Sequence, residues 1–234
     1  MRTLRTSAGP FGKRPYYTDD EIERMCSDAL AETALMPREP GAVRIERFIE
    51  KRFEAPVIYE RLPAEVLGFT EFGPNGVQAI HIAEASDASS KSEARRINST
   101  LAHEAGHGLM HAHLFALGLD HGRLFGNDPD VTSQRVLCRD EDSQSIRSKR
   151  RYDGRWWEFQ ANRAIGALLM PREAFLLFMK QFVEERGTFG LPTLPLERRN
   201  ETIEAAANMF DVNPAAARIR VDGFFSDASN QLTL

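Results

Sequence analysis

Residues 99–111 read Ser-Thr-Leu-Ala-His-Glu-Ala-Gly-His-Gly-Leu-Met-His. Within them, His103-Glu104-Ala105-Gly106-His107 sets two imidazoles four positions apart. On a helix, i and i+4 share a face one turn apart, so both rings can point at one metal ion. Glu104, next to the first ring, can then reach a metal-bound water and take its proton while the ion lowers that water's pKa. Gly106 and Gly108 fall mid-helix, where each costs about 1 kcal/mol relative to alanine. A helix that carries this cost needs another backbone or a ligand to come close. The plain alternative is a pair of surface histidines on an amphipathic helix, and the surroundings have to decide.

A catalytic metal site takes three protein ligands and leaves a fourth position open. Of the carboxylates that follow, Glu158 has the best setting, in Trp156-Trp157-Glu158-Phe159-Gln160-Ala161-Asn162. A carboxylate among large apolar side chains is costly unless it is paired or bound to metal. Asn162, one turn later on the same face, is placed to hydrogen-bond a ligand imidazole. Glu158 would also suit a plain helix start, where the dipole favours an acid. His111 is another i+4 step from His107 and is expected to support the site from behind, a fifth-ligand role being the alternative. His113 is expected at the surface, and His81 on the solvent side of a strand.

Around this stretch, the 234 residues are 42% hydrophobic and 27% charged, with 30 basic against 34 acidic side chains. This is globular composition, which sets aside disorder and collagen-like repeats. The net charge of −4 argues against a dominant nucleic-acid surface. No apolar run approaches the roughly 20 residues of a membrane span. Met1 to Pro15 carries basic residues without an apolar stretch behind them, unlike a secretory signal. Cys26 and Cys138 cannot build a disulfide framework, and two reduced thiols point to a cytoplasmic protein. Cys138 is expected as a buried structural thiol, with a zinc-bound inhibitory thiolate as the alternative. Arg147 to Arg151 reads as a solvated charge run.

Periodicity and punctuation divide the chain as follows. Residues 1–17 are expected as a flexible tail, 18–190 as one domain in which 118–155 is an inserted loop or lid, and 191–234 as a helical segment packed on or appended to it. Thr18-Asp19-Asp20-Glu21 is a capping box for a helix running to about Leu35. Val57–Tyr59, Val66–Phe72 and Val77–Ala83 are rich in β-branched and aromatic residues, and Pro74-Asn75-Gly76 reads as a hairpin turn. Helices are expected over Ser92–Leu117, stopped by Gly118, over Arg155–Met170, and from Pro171 to Gly187. Leu191 to Pro195 reads as a linker. Two short helices follow over Ile203–Phe210 and Ala215–Val221. The expected class is therefore α+β, mostly helical around a small antiparallel sheet of about three strands, with a C-terminal helix pair.

The block Ser99–His111, together with Trp157-Glu158-Phe159-Gln160-Ala161-Asn162 and Ala167-Leu168-Leu169-Met170-Pro171, resembles the ImmA/IrrE family of metallopeptidases. Members of that family show T-x-A-H-E-x-G-H-x-x-x-H followed by E-x-Q-A-N and A-x-L-L-M-P. The resemblance extends over about Val57 to Val221 and includes the tail Ala206–Arg218. It implies a zincin-like fold, a metal held by His103, His107 and Glu158, and Glu104 as general base. It further implies one zinc ion, although this donor set also suits Mn2+ or Fe2+. The implied activity is intracellular proteolysis of a regulatory protein such as a helix-turn-helix repressor or an antitoxin. Ala105 stands where the family commonly has leucine and Asn213 where it commonly has serine; neither is a ligand. Two other functions compete. One is a non-catalytic module that sequesters such a partner. The other is a DNA-binding regulator using the tail, which has few basic residues for that role.

Overall fold

Our computed structural model describes residues 2–5, 13–87, 89–125, 134–139, 156–186 and 191–225. Helix α1 (Asp19–Glu32) begins at the expected capping box. The Thr18 hydroxyl accepts from the Glu21 amide at 3.2 Å, and the Glu21 carboxylate accepts from the Thr18 amide at 2.8 Å. The apolar face of α1 buries Ile22, Cys26, Ala29 and Leu30. Helix α2 (Ile45–Phe53) buries Ile45, Phe48 and Ile49 in the same core.

The strands β3 (Val57–Glu60), β4 (Val66–Gly73) and β5 (Gly76–Ala83) lie where composition places them, and β4 and β5 form the expected hairpin. Gly76 turns it with φ +116°, a conformation that favours glycine. The fold class is α+β as expected, but the sheet is mixed and has four strands among the described residues, in the order β3-β5-β4 with the strand Gln134–Arg139 beside β4. Strand β3 runs parallel to β5, since the short link over 61–65 carries the chain past β5. Strand β6 (Gln134–Arg139) pairs antiparallel with β4, so part of the expected insertion is a sheet strand. The first 17 residues, expected as a tail, carry β1 (Arg2–Arg5) and β2 (Lys13–Tyr16), which pair antiparallel.

Helix α3 (Lys91–Phe125) is longer than expected and passes through Gly118. Among the described glycines only Gly76 has positive φ, so Gly118 does not adopt the left-handed stop geometry. One side of α3 packs on β4 and β5, and the other on α4 (Trp156–Leu169). Pro171 caps α5 (Arg172–Met179), which ends well before Gly187. The chain instead enters β7 (Glu184–Arg186), and the expected linker supplies its partner β8 (Leu191–Thr193).

A short 3-10 turn (Leu196–Arg198) leads into α6 (Arg199–Met209) and α7 (Pro214–Phe224). This C-terminal pair belongs to the main core through Ile203, Ala206, Ala217 and Val221. Two buried arginines fasten it. Arg220 donates to the Met170 carbonyl and pairs with Glu23 of α1. Arg95 of α3 donates to the Ala207 carbonyl at 2.9 Å and to Asp211 at 3.1 Å. No helix among the described residues is long and apolar enough to cross a membrane.

Candidate metal centre

The middle of α3 is buried on all sides from Leu101 to Gly108, between the sheet and α4. Its glycines make that possible. A Cβ on Gly106 would stand 2.8 Å from the Ala164 Cβ and 3.2 Å from the Ala161 backbone, so glycine lets the α4 main chain come against α3. At Gly108 a Cβ would meet the Phe53 ring at 2.6 Å. The close approach expected of both positions is present, and at Gly106 it carries Glu158 of α4 to the histidine pair of α3.

Three donor atoms converge there. His103 Nε2 lies 3.0 Å from His107 Nε2 and 3.0 Å from Glu158 Oε2, and His107 Nε2 lies 3.5 Å from the same oxygen. All three residues are buried, and they form a group that could bind a metal ion. The other ring nitrogens are already occupied. His103 Nδ1 is 3.0 Å from Asn162 Oδ1 and donates to it. His107 Nδ1 is 3.0 Å from His111 Nδ1. The tautomers follow from these acceptors. Both Nε2 atoms and the Glu158 carboxylate then face one point, where a cation would be held by all three. Tetrahedral ligation with bonds of about 2.0–2.1 Å spaces donors about 3.3–3.4 Å apart, close to the separations seen. The residues therefore fit a small divalent cation.

Glu104 is fully buried beside this group. Its Oε2 accepts from the Thr70 hydroxyl of β4 at 2.6 Å, whereas its Oε1 is buried with no partner among the described residues. Burial raises the Glu104 carboxyl above the usual range, opposed by His103, His107 and the Thr70 hydroxyl. Burial would also raise Glu158, but His107 and His103 outweigh it and hold that carboxyl well below its ordinary value. His111 is pushed down to about 3 by burial and by the neighbouring His107, against the bond to Gln160. It is therefore a neutral imidazole at any working pH.

Each expected site residue can thus be located. His103, His107, Glu158, Glu104, Asn162 and His111 come together, with Trp156 packed edge-on against the His111 ring at 5.5 Å. His113 is exposed and apart from them. His81 faces away from Ile80 and Ile82 as expected, but that face is not solvent. It is only 9% exposed and stacks on Phe69 with centroids 4.3 Å apart. The run Arg147–Arg151 lies outside the described residues, as does the side chain of Cys138.

Two residues of the site, Gln160 and Thr70, are not singled out by the sequence. Gln160 accepts from His111 Nε2 at 2.9 Å; it stood in the quoted block, yet nothing local pointed it at His111. Thr70 gave no sign at all, because its role depends on which strand packs under α3. A cleft of about 400 Å³ lies between α1, α4 and α7, with Asn162 in its lining. Its charged groups pair among themselves, as Arg163–Asp19, Arg172–Asp20 and Arg220–Glu23.

No model of a known protein family matches the chain, and no curated protein matches it. Among solved structures, a Mycobacterium tuberculosis transcriptional regulator is similar at 12% identity with a TM-score of 0.49, over 93% of this chain and 50% of that one. The chain thus spans about half the length of that protein, and so slight a likeness carries no argument about what either one does.

Proposed function

We propose that this chain is a zinc-dependent endopeptidase of the ImmA/IrrE kind, acting inside the cell on a regulatory protein such as a helix-turn-helix repressor or an antitoxin. One observation carries the reading. The donors His103 Nε2, His107 Nε2 and Glu158 Oε2 lie within 3.5 Å of one another, beside a buried carboxylate oxygen, Glu104 Oε1, that has no partner among the described residues. Two imidazoles and one carboxylate form a donor set of catalytic zinc sites, with room for a fourth, exchangeable position. A bound divalent ion would supply Lewis acidity, polarising a peptide carbonyl and making water acidic.

The chain's own groups do the rest. Thr70 holds Glu104 Oε2, which leaves Oε1 to take a proton from the attacking water and later to deliver it to the departing amine. The raised pKa of Glu104 brings its proton affinity nearer to that task than an exposed carboxylate would have. Asn162 and His111 hold the two imidazoles with their Nε2 atoms facing the site. A protein partner agrees with the net charge of −4 and with Arg220, a basic residue of the tail, being buried and paired rather than displayed. The free, buried thiol of Cys26 agrees with a reducing compartment.

The test compares the zinc-loaded protein with Glu104→Gln brought to the same zinc content. Both are offered a peptide library and a panel of purified helix-turn-helix repressors, and new termini are read by mass spectrometry. The wild-type chain is expected to cut, and the variant to do so at least about 100-fold more slowly. Equal cleavage by the two removes Glu104 from the chemistry. Tight binding of a repressor without cleavage by the wild type replaces the peptidase with the sequestering module.

A further inference from the structure

Behind His107 a line of hydrogen bonds leaves the metal centre and ends on the N-terminal strand pair. His107 Nδ1 is 3.0 Å from His111 Nδ1, and His111 Nε2 is 2.9 Å from Gln160 Oε1. The Gln160 amide nitrogen donates to the Pro15 carbonyl of β2 at 2.9 Å. His107, His111, Gln160 and Pro15 are all buried, which leaves no solvent to replace any link.

The last atom gives the line its direction. A backbone carbonyl can only accept, so the Gln160 NH2 must face Pro15 and its oxygen must face His111. Reversing that amide would set carbonyl against carbonyl at the Pro15 end. With an acceptor at Gln160, His111 carries its proton on Nε2 and presents a lone pair at Nδ1. That lone pair takes the Nδ1 proton of His107, so the Nε2 of His107 keeps its own lone pair for the site. His103 has no such line, since its Nδ1 ends on Asn162 directly.

We propose that Gln160 is a positioning residue of the metal centre, setting the tautomer of His107 through His111, with the Pro15 carbonyl as the fixed end. This rests on His103, His107 and Glu158 being metal ligands. It adds that the ligand quality of His107 is decided two side chains away, by the backbone of a strand that precedes the rest of the domain.

The probe is zinc alone, added to the full chain after chelator treatment, with affinity read by competition against a chromophoric chelator. Gln160→Met keeps length and apolar volume but removes both hydrogen bonds. It is expected to weaken zinc binding by about 10-fold, in the range for loss of an outer hydrogen-bonding partner. His111→Phe is expected to lose a similar factor. The double variant should bind no more weakly than His111→Phe, because Gln160 acts only through His111. A purely structural Gln160 would lower the thermal midpoint of the zinc-free chain without this pattern. Long-range 1H–15N spectra of the zinc-loaded chain read the tautomers directly and need no His111 variant. The wild type should show His111 protonated at Nε2, and Gln160→Met a mixture.

Zinc affinity in Gln160→Met within twofold of wild type overturns the proposal, as does an unchanged His111 tautomer or a further loss in the double variant. A wild-type chain that binds no zinc overturns the metal centre itself and this proposal with it. The two failures are therefore distinguishable.

Discussion

Gly106→Ala sets two effects of opposite sign against each other at one atom. As an isolated helix position the change is favourable by about 1 kcal/mol. In this fold the added methyl would stand 2.8 Å from the Ala164 Cβ and 3.2 Å from the Ala161 Cα and carbonyl oxygen. Ordinary carbon contacts begin near 3.5 Å, so α3 and α4 must part by about 0.7 Å at their crossing. Two of the three obstructing atoms are backbone, which no rotamer change can move. Overpacking of this kind costs about 1–3 kcal/mol, so the zinc-free protein should lose up to about 2 kcal/mol. The larger effect falls on zinc. Glu158 rides on α4 and the histidines on α3, whereas donor distances in a metal site tolerate only about 0.2 Å. A loss of at least about 10-fold in zinc affinity is expected, measured by chelator competition beside urea unfolding of the zinc-free chain. Gly108→Ala is the control. Its methyl meets the Phe53 ring, whose side chain can turn aside, and α4 is not involved. It should leave zinc affinity within about twofold. A Gly106→Ala protein that gains stability and binds zinc as before would refute the claim that this glycine holds the two ligand-bearing helices together.

Three further outcomes are expected. Thr70→Val should cut peptide cleavage by about 10-fold or more while leaving zinc affinity within twofold, and Thr70→Ser should restore cleavage, because only the hydroxyl holds Glu104 Oε2; equal rates in all three proteins would dismiss the role. The metal-free chain should become less stable in acid. His111 is neutral in the fold with its pKa lowered to about 3, so below about 6.5 the unfolded chain takes up a proton that the folded one refuses. Stability is thus present above about 6.5 and falls as the pH drops towards 3, by an amount on the order of 4 kcal/mol; thermal midpoints against pH for wild type and His111→Phe check it, and identical slopes would refute it. Arg220→Met should destabilise by about 3 kcal/mol in urea unfolding, since it strands Glu23 and the Met170 carbonyl together; a loss below about 1 kcal/mol would show the clamp to be idle.

What could be seen from the residues alone follows the range of the interaction involved. The i, i+4 histidines, the capping box of α1 and the Asn-Gly hairpin are local patterns, and each lies where its spacing places it. The glycines were legible too, because a local penalty in a helix asks for a non-local reason. Glu158 stood out by its aromatic neighbours, a compositional hint of burial. The parallel pairing of β3, the strand at 134–139 and the Thr70–Glu104 bond all depend on which segments meet after the chain has folded, and no periodicity carries that. The stop expected at Gly118 fails for a different reason: a glycine can end a helix by adopting positive φ, but it is equally free to continue one, as it does in α3.

The ligands are divided between two helices, with 51 positions from His107 to Glu158. An ion gripping both would act as a cross-link on the unfolded chain, closing a loop of about 50 residues, worth about 4 kcal/mol of chain entropy on the simplest polymer account. The same arithmetic has a second edge. Loop closure varies only with the logarithm of length, so doubling the intervening chain would change this contribution by merely about 0.6 kcal/mol, towards a stronger cross-link. By this account the number of residues between the two ligand-bearing helices has little influence on the stability the ion would add.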